Sequence, residues 1–282
     1  MTIELCMLVP HVPSLCHEDQ VPDFQKDMAN AMKELGRELK NIQPDVIVLV
    51  SCHWPSTFFH YVDATPVHKG TLTAVEAPDL INNVPYNYDG DEELALEIVK
   101  AGEQLGLQVK AVNDPYFVWD YGSIVPLRYL VPNEDIPVIN LSVTLAASLE
   151  ETYTWGQQIA EVLRKSNKKV VFLSSGALSH NLVRGRHNKP TVTEHAMDKQ
   201  FVEFVMNKDY EAAYKMLPEY ARFARVESGG RHLAMLFSMI ESDFEPVYLA
   251  EGQSSGSWNA LITFGKKTLV TVNAVEASEQ VK

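Results

Sequence analysis

The chain has 282 residues, enough for one large or two small domains, and its 46% hydrophobic, 22% charged and 9% aromatic content is that of a globular protein with a sizeable core. A formal charge of −13 provides no diffuse basic field, which argues against nucleic acid as partner. No apolar run nears the roughly 18–20 residues that span a bilayer, and the first residues lack a basic, small-residue-cleaved leader pattern; the expectation is a soluble cytoplasmic protein without membrane contact.

The first apolar run, LCMLV at 5–9, stops at Pro10 and is followed at once by His11 and Pro13. A helix is predicted over 22–42, where Met28, Met32, Leu35 and Leu39 form a one-sided stripe. Strand DVIVLVS (45–51) runs into Cys52, His53 and Trp54. Residues 63–90, with Pro66, Pro78, Pro85 and Gly90, read as a long functional loop. A helix over 91–106 and a strand over 107–112 follow, then strand IPVINLSV (136–143), a helix over 148–166 and strand KVVFLSS (169–175), which leads to His180. Helices over 193–209 and 229–241 precede strands EPVYLA (245–250), ending in Glu251, and ALITF (260–264).

Continuous rather than alternating apolarity in the strands indicates burial on both faces. Strands alternating with helices then give an α/β fold with a largely parallel central sheet flanked by helices, read as one domain over 1–282. Cys6, Cys16 and Cys52 make no CxxC pair, and Cys6 and Cys52 are expected in the core of a protein from a reducing compartment.

In open α/β sheets ligands bind beyond the carboxyl ends of the strands. There the chain places His11, His53, His180 and Glu251, each after a different strand. Two imidazoles and a carboxylate holding one face of an octahedral ion suit Fe(II) and also Mn(II), and the pattern leaves Zn(II) or Co(II) open. His60 reads as a mid-strand residue near such a site, and His17, His68, His187 and His195 as surface or loop residues. No GxxxxGK[ST] is present and no GxGxxG follows any strand, and the stretch LSSGALSH (173–180) does not have the G-x-S-x-G spacing of a nucleophile turn, which argues against the phosphate-loop, dinucleotide and serine-hydrolase readings.

The set PHVPS (10–14), SCHWP (51–55), DYGSIVPLRYL (120–130), SSGALSH (174–180) and AEGQSSGSWNA (250–260) resembles the class III extradiol ring-cleavage dioxygenases. VPYNYDGDEELA (84–95) and KMLPEYA (215–221) are most similar to the branch containing homoprotocatechuate and protocatechuate 2,3-dioxygenases. The resemblance implies Fe(II) held by His11, His53 and Glu251, with His180 as the acid/base residue. Tyr121 stands where several members have the histidine of a D-H-G-T motif, so it becomes a second catalytic candidate. It also implies an aromatic diol and O2 as substrates, with a 2-aminophenol-type enzyme or a non-catalytic metal-binding homologue as alternatives. A carboxylate on the ring would need cationic or donor partners, for which Arg225, Arg231 and His232 are the candidates; Asp120 is a further substrate-site candidate, expected to orient a neighbour, and homo-oligomerisation is expected.

Overall fold

The computed structural model describes residues 3–266. In chain order, β1 (Ile3–Val9) leads through short 3-10 turns to α1 (Lys26–Ile42), and β2 (Val46–Ser56) and β3 (His60–Asp63) follow. Next come β4 (Val67–Leu72), β5 (Val84–Asp89), α2 (Glu92–Gln104), β6 (Val109–Val112), α3 (Tyr121–Leu130) and β7 (Val138–Thr144). The remaining elements are α4 (Leu149–Lys165), β8 (Val170–Ser175), α5 (Val192–Met206), α6 (Tyr210–Phe223), α7 (Arg231–Met239), β9 (Phe244–Ser254) and β10 (Ser257–Lys266).

Eight strands form one sheet in the order β6-β3-β7-β2-β8-β1-β10-β9. Its centre is parallel, β7 on β2, β2 on β8 and β8 on β1, while β10 and β9 run antiparallel at one side. The α/β fold with a mostly parallel sheet is therefore as the sequence indicates. Side-chain alternation splits each central strand between two cores. Cys6, Leu8, Val48, Val50 and Phe172 face one core with α4 and α7; Met7, Val9, Ile47, Leu49 and Leu173 face the other with α1 and α3. This double burial is why the strands read as unbroken apolar runs.

The region 63–90 is not the irregular loop expected. It holds the two-stranded β4–β5 sheet, whose Val84, Tyr86 and Tyr88 are buried in alternation with exposed residues. Tyr86 and Tyr88 stack against Trp119, the Trp119 backbone N–H donates to the Tyr86 hydroxyl at 2.8 Å, and its indole N–H donates to Asp63 at 2.8 Å. His68, expected at the surface, is buried there with Nδ1 3.2 Å from Asp63. The helices α3 and α6, each interrupted in pattern by a proline (Pro126 and Pro218), were not expected from periodicity. α3 lies so close to α1 that a Cβ on Gly36 would come within 2.3 Å of the Tyr129 carbonyl oxygen.

Candidate active site

β1, β2 and β8 are parallel neighbours, so their carboxyl ends share one edge of the sheet, and His11 and His53 meet there. β2 loses register with β7 between Val50 and Pro55, an irregularity that re-aims the side chains of the intervening residues, His53 among them. The two imidazoles pack edge to face with ring centres 4.8 Å apart.

Between them lies Glu227, whose Oε1 is 3.2 Å from Nε2 of His11 and 3.3 Å from Nε2 of His53. One ligand atom from each of His11, His53 and Glu227 falls within a 4.8 Å cluster. The backbone reaches this point through a turn of left-handed residues, Ser228 (φ 50°), Gly229 (φ 64°) and Gly230 (φ 78°), immediately after Glu227. Gly-Gly supplies that conformation at little steric cost. Glu227 is tied down by the Ala177 N–H, which donates to Oε2 at 2.6 Å, and by its own N–H, which donates to the Leu178 carbonyl.

The expected third ligand, Glu251, is not in this cluster. It lies on β9, the edge strand of the sheet, opposite Ala260 of β10, with its side chain exposed. There its carboxylate accepts from the Tyr248 hydroxyl and from the Trp258 indole N–H. Strand-end reasoning reaches the end of the sheet where this cluster lies but does not find Glu227, which follows helix α6 and not a strand. The sequence signal was an acid directly ahead of Ser-Gly-Gly.

The donor set fits a divalent cation. Ser175 donates its hydroxyl proton to the Gly122 carbonyl at 2.5 Å, so at 2.9 Å from Nδ1 of His11 it serves as acceptor. Nδ1 of His11 then carries the proton and Nε2 presents its lone pair toward Glu227 and His53. Burial would push the Glu227 carboxyl up, but His11 chiefly, with His53 and His180, holds it well below the usual carboxylate range. It is therefore ionised, as a ligand must be. At His53 burial works downward, and Glu227 above all reverses it to a net rise.

His180 stands next to the cluster, with Nε2 3.8 Å from Oε1 of Glu227. Burial, with smaller contributions from His11 and His53, lowers its pKa below 6.5, leaving a neutral imidazole at pH 7. Its backbone is held by its own N–H donating to the Ala224 carbonyl, and the preceding Ser179 is gripped through both N–H and hydroxyl by the buried carboxylate of Asp198. Tyr121 packs 3.9 Å from the His53 ring, and burial followed by Glu76 and Glu227 raises its pKa, so its hydroxyl keeps its proton. A cavity of about 330 Å³ opens over these groups, with Tyr121, His11, His53 and His180 in its wall.

The substrate-binding candidates from sequence do not line it. Asp120 instead caps α3, accepting from the Ser123 N–H at 3.1 Å and from the Ser51 hydroxyl at 2.5 Å. Ser51 in turn accepts from the His53 N–H, so Asp120 braces a histidine of the cluster. A Cβ on Gly122 would come within 2.3 Å of Ser51 Oγ, so glycine there serves close approach and not a turn. Arg225 is exposed. Arg231 donates to the carbonyls of Ala147 and Ser228, fastening the turn behind Glu227. His232 is fully buried, and a Cβ on Gly176 would lie 2.4 Å from its ring. The cavity's guanidinium belongs to Arg186, which sequence reasoning passed over because it lies in an unpatterned connection between β8 and α5.

Residues 5–263 match the family described as the catalytic LigB subunit of aromatic ring-opening dioxygenase. The chain belongs to this family of extradiol ring-cleaving dioxygenases. It is 25% identical over 271 residues to 3,4-dihydroxyphenylacetate 2,3-dioxygenase of Escherichia coli, covering 91% of this chain and 98% of that one. It is 24% identical over 285 residues to the 2-aminophenol 1,6-dioxygenase beta subunit of Pseudomonas sp, covering 89% and 92%. A crystal structure of the uncharacterised protein JW3007 from Escherichia coli K12 superimposes with a TM-score of 0.70 at 19% identity, over 93% of this chain and all of that one, and so shares the fold. Among the described residues no helix is long and apolar enough to cross a membrane.

Proposed function

We propose that this ring-opening dioxygenase uses Fe(II), bound by His11, His53 and Glu227, to cleave a carboxylate-bearing catechol with O2. The observation that carries the reading is the convergence of those three donors within 4.8 Å beside a cavity that also presents His180 and Tyr121. Two neutral imidazoles and one carboxylate favour Fe(II), with Mn(II) as the nearest substitute. When bound, the metal would acidify the catechol hydroxyls and provide an electronic route by which triplet dioxygen reacts with a closed-shell ring.

The chain's own residues do the rest. Ser175 fixes the His11 ring and Asp120, through Ser51, fixes the His53 backbone, so two of the three donors are pre-set before a metal arrives. Neutral His180 takes a hydroxyl proton from the substrate at Nε2 and later returns it to an oxygen of the reacting partners. Protonated Tyr121, packed on the His53 ring, donates a hydrogen bond to the substrate. The similarity to an enzyme named for 3,4-dihydroxyphenylacetate supports a ring that carries an acid.

A 2-aminophenol-type reaction is the second reading, favoured by the similarity to the Pseudomonas beta subunit. A non-catalytic metal-binding role would be expected to bring loss of a ligand or of His180, whereas all four groups are in place. On the proposed reading residues 1–282 act as one catalytic domain in a homo-oligomer, and the three unpaired cysteines suit the cytoplasm.

The test is oxygen uptake with product mass, measured on protein reconstituted anaerobically with Fe(II) and offered carboxylated catechols, plain catechol and 2-aminophenol. Ring-opened product containing both oxygen atoms is expected with Fe(II); turnover without oxygen would point to a hydrolase and sink the proposal.

A further inference from the structure

The mouth of the active-site cavity is formed by two short turns facing each other, and each is internally built. Residues 74–81 fold on themselves through Ala77 N–H to Ala74, Leu80 and Ile81 N–H to Ala77, and Ala74 N–H to Ile81. On the other side, the Asn188 N–H donates to Gly185, and the segment is sewn to the β9–β10 turn by Val183 to Ser255, Ser255 to Arg186 and Gly256 to Asn188. Asp79 stands on the first turn and Arg186 on the second, with Arg186 Nη2 3.9 Å from Asp79 Oδ2.

That separation is too long for a hydrogen bond, and both side chains are largely open to water, Arg186 at 47% and Asp79 at 74%. An exposed pair of this kind is held by little free energy, so an incoming carboxylate with good fork geometry can take the guanidinium from Asp79. Among the described residues that line the cavity Arg186 is the sole Lys or Arg, and Glu76 and Asp79 are the acids at the rim.

Burial orders the cavity from floor to mouth. The floor groups His11 and Tyr121 are 5% and 8% exposed, whereas Arg186 is at the open end. A catechol that places its two hydroxyls at the floor directs the far side of its ring to the mouth. A carboxylate there must sit remote from the diol, as in a 3,4-dihydroxyphenyl acid. In a 2,3-dihydroxyphenyl acid the carboxylate lies beside the diol, at the Glu227 end of the cavity and away from Arg186.

We propose that Arg186 is the specificity-determining residue that binds the substrate's remote carboxylate, and that Asp79 is the internal competitor it leaves on binding. The proposal rests on the ring-opening reading above, and it assigns that reading a substrate class: 3,4-dihydroxyphenyl acids. Glu76 and Asp79 disfavour a second acidic group on the ring by like-charge repulsion.

The experiment compares kcat/KM for 3,4-dihydroxyphenylacetate and 4-methylcatechol in the Fe(II) enzyme and in Arg186→Gln, Arg186→Lys and Asp79→Asn. The ratio favouring the acid should fall roughly 10- to 100-fold in Arg186→Gln, through KM more than kcat, as expected for loss of a charge-assisted hydrogen-bond pair. Arg186→Lys should recover part of the ratio, and Asp79→Asn should raise it. Wild-type enzyme should prefer 3,4-dihydroxybenzoate to 2,3-dihydroxybenzoate. A ratio unchanged within twofold in Arg186→Gln, or the opposite ring preference, overturns the proposal. Should no catechol be opened, the same ratio is read by titrating the Fe(II) protein without oxygen. Selective binding lost in Arg186→Gln then upholds Arg186 while the ring-opening reading fails, and binding that ignores the carboxylate refutes both.

Discussion

Ser175 Oγ lies 2.9 Å from Nδ1 of His11 while giving its own proton to the Gly122 carbonyl, so a single hydroxyl sets which nitrogen of His11 faces the cluster. Removing it should leave the fold and cost metal affinity. In Ser175→Ala, Fe(II) or Mn(II) should bind roughly 10- to 100-fold more weakly, the usual consequence of deleting a partner that orients a ligand. Equilibrium dialysis of the metal checks this, and unchanged affinity would show that the tautomer is fixed some other way.

Glu227 and Glu251 separate cleanly. Glu227→Ala should lose stoichiometric metal and all oxygen uptake, because it deletes the one carboxylate of the cluster. Glu251→Ala should retain metal and most activity, since that side chain is bound to Tyr248 and Trp258 on the edge strand. Metal analysis of the two purified variants decides the assignment, and the reverse pattern would restore Glu251.

His180 predicts a pH profile. Its pKa is below 6.5 in the folded protein, so the neutral, proton-accepting form persists as pH falls through 6.5. The acid limb of kcat/KM should therefore have its midpoint under 6.5. His180→Ala should keep metal while turnover falls by roughly 10²–10⁴, the contribution of a general acid/base, and the acid limb should flatten. Retained full turnover would remove His180 from the proton path.

His232 makes stability pH-dependent. Burial lowers its pKa to about 4, against 6.5 unfolded, so between those values the unfolded chain binds more protons. Stability is full above pH 6.5 and is lost as pH falls toward 4. From pH 7 to pH 5 this one group should cost about 2 kcal/mol. Urea unfolding of the metal-free protein at the two values, wild type against His232→Gln, isolates the effect as the difference between the two pH responses.

The parallel sheet was legible because two-sided burial writes itself as unbroken apolar runs, and His11, His53 and His180 were legible because they follow such runs. α3 and α6 were hidden by an internal proline each, and β4–β5 by the prolines flanking and entering a hairpin whose alternation covers only six residues per strand. Glu227 was hidden by the same blind spot, since it follows the unread α6. Arg186 lay in a connection with no periodicity, where only the fold reveals what a side chain faces.

Residues 11, 53 and 227 are brought together by three separate stretches of backbone, the end of a central strand, an irregularity in its second neighbour and a left-handed turn ahead of α7. A cation shared among them acts as a reversible cross-link that closes two long chain segments at once, and its binding free energy becomes folding free energy. The apo protein should accordingly melt lower than the loaded one, with hydrogen exchange rising first around 176–180 and 224–230, the segments laced to each other through Glu227 and His180. Starvation for that metal would then act on this protein's lifetime as well as on its rate.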